Sequence, residues 1–153
     1  MTSLVAIVGP TAVGKTTLGL RIANAIDGEI INADSGQFYC GLDIGTAKPS
    51  ADNLKNVPHH LIDVLEPSET MGLARFIDIA SEKIEEITSR ERLPILVGGT
   101  GQYVFGLLEG WDVPRVRPDL PFRKRLEVEA AEHGVIDLHK QLSILDRESA
   151  HRI

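Results

Sequence analysis

The chain predicts an α/β domain built on a mostly parallel sheet, and three observations carry that expectation. Short apolar segments, Leu4–Val8 and Leu93–Val97, have the length and branching of strands buried on both faces. Longer segments between the strands carry apolar residues at helical spacing. A glycine-rich turn joins the first apolar run to the first helical pattern. Strand–helix alternation over the first 110 residues implies right-handed βαβ units.

The elements follow in order. After the strand at Leu4–Val8, residues 16–26 place Leu18, Leu20, Ile22, Ala23 and Ile26 as a helix would, and Asp27-Gly28 closes it. Residues 29–32 read as a second strand. Residues 33–58, rich in Gly, Asp, Asn and Pro, read mostly as loop with one helical turn. So long an irregular stretch inside a compact domain points to function. Residues 60–64 form a third candidate strand. Residues 73–90 give the clearest helix, with Phe76, Ile77, Ala80, Ile84 and Ile87 on one face. Another strand at 93–97 and a helix at 102–108 complete the core. Trp111, Pro114, Pro118 and Pro121 mark a boundary within 110–121. Helices are expected at 122–133 and 137–145, separated by Gly134, with a further one from 146. Two domains result: residues 1–112 as the α/β core and residues 113–153 as a helical part.

With 153 residues, 42% apolar and 25% charged, the composition is that of a globular domain with its own core. No apolar run approaches the roughly 20 residues that span a bilayer. No basic stretch precedes the first apolar run, so neither a signal peptide nor a membrane partner is expected. One cysteine, Cys40, rules out an internal disulfide and a cysteine-based zinc site, and fits a reducing, cytoplasmic compartment. The net charge is −6. Residues 1–112 hold 8 Lys/Arg and 15 Asp/Glu (−7), and residues 113–153 hold 8 and 7 (+1). Neither part shows the broad basic footprint of a nucleic-acid binder.

Gly9-Pro10-Thr11-Ala12-Val13-Gly14-Lys15-Thr16 satisfies G-x-x-x-x-G-K-[ST] in full, between a strand and a helix. Gly9 and Gly14 let the backbone curl so that successive N–H groups face one anion. The helix N-terminus adds partial positive charge. Lys15 brings a mobile cation, and the Thr16 hydroxyl can ligate Mg²⁺. Such P-loops serve NTPases, small-molecule kinases and other phosphate-ligand enzymes, so other residues must choose among them. Asp34-Ser35-Gly36-Gln37 follows the second strand, at the carboxyl edge where open α/β sheets bind ligands. Asp34 there can act as a general base, stand in the outer shell of Mg²⁺, or cap a turn. Thr11 and Thr100 share that edge as ligand contacts or local turn hydroxyls.

Further motifs narrow the choice: Asn32-Ala33-Asp34-Ser35-Gly36-Gln37, Leu42-Asp43-Ile44-Gly45-Thr46-Ala47-Lys48-Pro49, Val57-Pro58-His59-His60-Leu61-Ile62-Asp63, and the run from Leu93 to Tyr103. With the phosphate loop, these resemble the tRNA dimethylallyltransferase family of P-loop prenyltransferases, in order and with similar gaps, over nearly all of residues 4–110. The resemblance implies a P-loop NTPase-like three-layer fold and the start of a helical insertion domain. It implies transfer of the dimethylallyl group of dimethylallyl diphosphate to N6 of the adenosine 3′ of a tRNA anticodon, assisted by Mg²⁺. The partners would be tRNA and dimethylallyl diphosphate, in a cytoplasmic monomer. The loop would hold a diphosphate leaving group, although motif-based descriptions name such proteins ATP- or nucleotide-binding.

By the same resemblance Asp34 matches the general base, and Thr11 and Lys15 match groups at the diphosphate. Asp34 to Gln37, Thr100 and Arg123 match tRNA-contacting positions. Asp43, Lys48, His59 and His60 lie in family motifs as supports for the loop. The alternatives are a nucleotide or small-molecule kinase and an adenylate isopentenyltransferase. The family's enzymes are about twice this long, so the chain is expected to be an incomplete form that lacks later core strands and a basic, tRNA-gripping region.

Overall fold

The computed structural model describes residues 3–116 and 118–153. Four strands, β1 (Val5–Val8), β2 (Glu29–Asn32), β3 (His59–His60) and β4 (Pro94–Gly98), form one sheet in the order β1-β4-β2-β3. Every pairing is parallel, with Val8 beside Gly98 and Asn32 beside Val97. Four strands running one way send their exits to one edge. The loop from Gly9, the turn from Ala33 and the segment from Gly99 all leave there.

Alternation along the buried strands divides the core. Ile30, Ile95 and Val97 pack with Ile7 of β1 and with Ala23 of helix α1 (Lys15–Ile26). Ile31 and Leu96 point the other way, onto Phe76 and Ala80 of α3 (Leu73–Ser89) and Val104 of α4 (Gly101–Leu108). Phe38, Phe76 and Tyr103 meet there with ring centroids 4.6–6.0 Å apart, and the Tyr103 hydroxyl donates to the Met71 carbonyl at 2.7 Å. Phe38 is fully buried and closes the 3-10 turn Ser35–Phe38, so this aromatic cluster anchors the segment that carries Asp34.

Three expectations need correction. β1 is not buried on both faces: it pairs only with β4 among the described residues, and Val8 is 51% exposed. The third strand does not run over 60–64. It ends at His60, because Leu61 and Asp63 take positive φ angles of 61° and 53°, and a single bridge joins Tyr39 to Leu65 beyond them. The stretch 33–58 holds more than one turn, since α2 (Ala51–Asn56) begins where the Ser50 hydroxyl accepts from the Asn53 amide.

At the entry edge of β2, Glu29 is 2% exposed and accepts from His60, Arg90 and Arg92 at 2.6, 2.9 and 3.2 Å. Burial opposes its ionisation, but these donors outweigh burial and hold the carboxyl below the usual glutamate range. A carboxyl lowered on folding stabilises above its unfolded pKa and stops doing so as the pH falls through its folded value. Glu29→Gln is expected to cost about 3 kcal/mol at neutral pH, the low end for a broken buried pair because both arginines can be rehydrated. Urea unfolding at several pH values checks this, and the gap between variant and parent closes in acid.

The chain divides into two compact units, Met1–Arg115 and Val116–Ile153; the expected boundary stood at 112/113, and Arg117 of the boundary segment lies outside the described residues. The second unit contains α5 (Leu120–His133), α6 (Val135–Leu145) and α7 (Arg147–Arg152). Asp119 caps α5 by accepting from the Phe122 amide at 2.9 Å, and Gly134 at φ 87° turns the chain into α6. His139 Nε2 and the Ala150 carbonyl, 2.9 Å apart, link α6 to α7.

Candidate active site

The phosphate loop takes the shape its glycines permit. Gly14 stands at the N-cap of α1 in the left-handed region, φ 89°, and no side chain caps the helix. The first amides of α1 have no intrahelical acceptor, so they are free to bind an anion. Ala12 also sits at φ 66°, a conformation that costs a non-glycine residue about 1 kcal/mol or more. Lys15 Nζ donates to the Pro10 carbonyl at 2.7 Å, folding the cation back across its own loop.

Asp34 is the second residue after β2. Its backbone is gripped by Asn32, which is 3% exposed. Asn32 Oδ1 accepts from the Asp34 amide at 3.0 Å, and Asn32 Nδ2 donates to the carbonyls of Asp34 at 3.1 Å and Leu61 at 2.9 Å. Asp34 Oδ1 accepts from the Gly36 amide at 3.0 Å. This leaves the second carboxylate oxygen without a protein donor among the described residues. The Ser35 amide donates to Thr100 Oγ1 at 3.1 Å, so two segments 65 residues apart are joined at the strand exits.

Thr11, Lys15, Thr16, Asp34 and Gln37 all line one cavity of about 320 Å³. Ala12 and Gly14 line it as well, Ile30 and Val97 give it an apolar floor, and Thr46, Ala47 and Pro49 form a wall. Gly9 and Pro10 instead border a second, largely apolar cleft beside Val104 and Phe105. Val13 is exposed and lines neither. Gln37 is turned inward: it is 8% exposed, and its Nε2 donates to the Thr46 carbonyl at 3.2 Å. Gly36 packs against the same wall, with room for a Cβ only 3.0 Å from the Thr46 methyl. Arg123 lies exposed on α5 in the second unit.

Other participants were expected from the sequence only as motif members or supports for the loop. Asn32 was visible only as part of a motif. Lys48, with its side chain 5% exposed, donates to the Tyr39 carbonyl, Asp43 and Asp63 at 2.6, 2.8 and 2.5 Å. Burial alone would lower the Lys48 pKa; the two carboxylates reverse that and raise it. His59 lines the cavity, with Nδ1 2.7 Å from the Val57 carbonyl and Nε2 buried without a partner among the described residues. Burial pushes its pKa down. The signal for these residues was their place in the Leu42–Pro49 and Val57–Asp63 motifs.

No cluster of three or more His, Cys, Asp or Glu side chains suited to a metal occurs among the described residues. The cavity offers oxygen donors instead, the Thr16 hydroxyl and the Asp34 carboxylate. That set fits Mg²⁺, which keeps waters and phosphate oxygens and takes few protein ligands.

The IPP transferase family model matches residues 37–153. The tRNA dimethylallyltransferase of Chloroflexus aurantiacus is 52% identical over 153 residues, covering 100% of this chain and 52% of the relative. That of Roseiflexus sp. (strain RS-1) is 51% identical over 150 residues, covering 98% and 49%. The chain thus spans about half the length of the curated relatives it matches. Among solved structures, the full-length tRNA isopentenylpyrophosphate transferase of Bacillus halodurans superposes with a TM-score of 0.72 at 47% identity, covering 100% of this chain and 50% of that one. A eukaryotic dimethylallyltransferase described as acting on tRNA gives 0.77 at 29% identity, covering 99% and 38%. A parallel sheet with a phosphate loop at its exit edge, a family match over most of the chain and identities near one half assign this chain to the IPP transferase family.

Proposed function

We propose that this chain carries the donor site and general base of an enzyme that transfers a dimethylallyl group from dimethylallyl diphosphate to N6 of the adenosine 3′ of a tRNA anticodon. The observation that carries this reading is a single cavity shared by an anion-binding loop and a carboxylate with one free oxygen. A hydrolase or kinase would also need the loop. The family membership and the names of the relatives favour prenyl transfer.

In this reading the C1–O bond of the donor breaks as the N6–C1 bond forms. Diphosphate leaves, and the N6 proton passes to Asp34. The loop amides, Lys15 and Thr11 stabilise charge growing on the departing diphosphate. Thr16 would hold Mg²⁺, which neutralises diphosphate charge when bound. The base must leave its stack to enter a cavity of this kind, and Ser35, Gly36, Gln37, Thr100 and Arg123 are proposed to contact the tRNA. The loop serves as a diphosphate cradle and not as a site of ATP hydrolysis. A cytoplasmic monomer is the proposed working form, in keeping with a tRNA acceptor. No helix among the described residues is long and apolar enough to cross a membrane.

Incubation with labelled dimethylallyl diphosphate, Mg²⁺ and either tRNA or AMP tests the reading, using this chain and a longer chain that contains it. Label is expected on tRNA. Label on AMP alone would assign a nucleotide prenyltransferase instead, and phosphate transfer from ATP to a nucleoside monophosphate would assign a kinase.

A further inference from the structure

The segment 41–49 supplies a wall of the cavity through Thr46, Ala47 and Pro49, and its ends are held by unusual means. It contains no regular element, its tip Ile44 is 98% exposed, and no hydrophobic packing fixes it. Polar bonds from the buried Lys48 and Gln37 side chains do so instead. Lys48 reaches three acceptors: the carbonyl of Tyr39 on the chain entering the loop, Asp43 within it, and Asp63 beyond β3. Gln37 donates to the Thr46 carbonyl from the Asp34 turn. Asp63 is itself tied to that turn, its amide donating to the Gln37 carbonyl at 3.2 Å. Asp63 also holds a left-handed backbone conformation, φ 53°, which aspartate tolerates better than most residues. Among the described residues, Lys48 is a cation with three acceptors that joins both feet of the loop to the segment behind Asp34.

We infer that Lys48 is a positioning residue, which holds the 41–49 wall preformed against the Asp34 turn so that the cavity is set for the organic part of the diphosphate ester before it arrives. This rests on the donor-site reading above. In that reading the phosphate loop, and not this wall, binds the diphosphate group, so loosening the wall weakens the ester and not the bare anion. Lys48→Met keeps the length of the stem and removes all three bonds. The wall must then be ordered at the moment of binding, at an entropic cost.

Two measurements on the intact chain test the role. Hydrogen exchange of the Cys40, Ala47 and Asp63 amides, which donate to the Leu65, Ile44 and Gln37 carbonyls, is expected to quicken by about tenfold or more in Lys48→Met, with β4 amides unchanged. By calorimetry with Mg²⁺, affinity for dimethylallyl diphosphate is expected to fall about tenfold while that for inorganic diphosphate stays within about twofold. Asp43→Asn, at a partner whose side chain is 68% exposed, should shift both readouts the same way and less, without risk to the fold. Unchanged exchange in both variants, or equal losses for the two ligands, would overturn the role of Lys48. Failure of the parent chain to bind either ligand would instead overturn the donor-site reading, and the positioning role with it.

Discussion

Asp34→Asn is expected to slow dimethylallyl transfer by about 10²- to 10⁴-fold, the usual contribution of a placed general base. The fold should be indifferent to the change. An asparagine oxygen accepts from the Gly36 amide as Asp34 Oδ1 does at 3.0 Å, and Asn serves as a cap about as well as Asp. The Asn32 bonds involve only the backbone of residue 34, so they survive. What is lost is the second, unpartnered oxygen and its ability to take a proton. Transfer is to be measured by single turnover on a transfer-competent chain that contains these residues, beside calorimetric titration with diphosphate. Unaltered transfer would remove Asp34 from the mechanism. A parallel loss of diphosphate affinity would recast it as part of the anion site.

Gly98→Ala is expected to destabilise the first unit by more than about 4 kcal/mol, a size reserved for a few named mechanisms. Here the mechanism is collision with backbone. A Cβ at Gly98 would stand 2.3 Å from both the carbonyl carbon and the oxygen of Ala33, where no side chain can swing aside. The close approach has a purpose in the site. The Ala33 amide donates to the Val97 carbonyl at 2.8 Å, and the Thr100 amide donates to the Ala33 carbonyl at 3.3 Å. These bonds bring Asp34-Ser35 beside Thr100. Gly45→Ala is the matched control. A Cβ there meets nothing within 4 Å, and its change should stay within about 0.5 kcal/mol. Thermal melts followed by far-ultraviolet circular dichroism distinguish the two; a Gly98→Ala variant as stable as the parent would mean that β2 and β4 can part without loss.

The features legible in the sequence are those written in contiguous residues. The phosphate loop is one octapeptide whose conformation follows from Gly9 and Gly14, and its strand and helix neighbours have clean periodicity. Asp34 could be placed at the same edge because strand exits in a parallel sheet share an edge. Less visible was everything set by contacts distant along the chain. Lys48 has acceptors 5, 9 and 15 residues away, and nothing local marks it as buried. The third strand stops early because Leu61 adopts a backbone angle that a leucine ordinarily avoids, with its carbonyl held by Asn32 from 29 residues away. β1 has the composition of a central strand, yet its exposure depends on which strands flank it, a matter of sheet order and not of its own four residues.

The bond between Lys15 and the Pro10 carbonyl has a bearing on which ligands the loop can retain. The ammonium spends one of its three N–H donors on a neutral oxygen at 2.7 Å and keeps two for other partners. The Pro10 carbonyl therefore holds the cation across the loop without using it up. A neutral acceptor would only replace water on the remaining donors and gain almost nothing. An anionic oxygen adds the attraction of opposite charges in a short N⁺–H···O⁻ bond. The loop thereby screens by charge: alcohols and amides compete poorly with water for Lys15, while an anionic oxygen competes well.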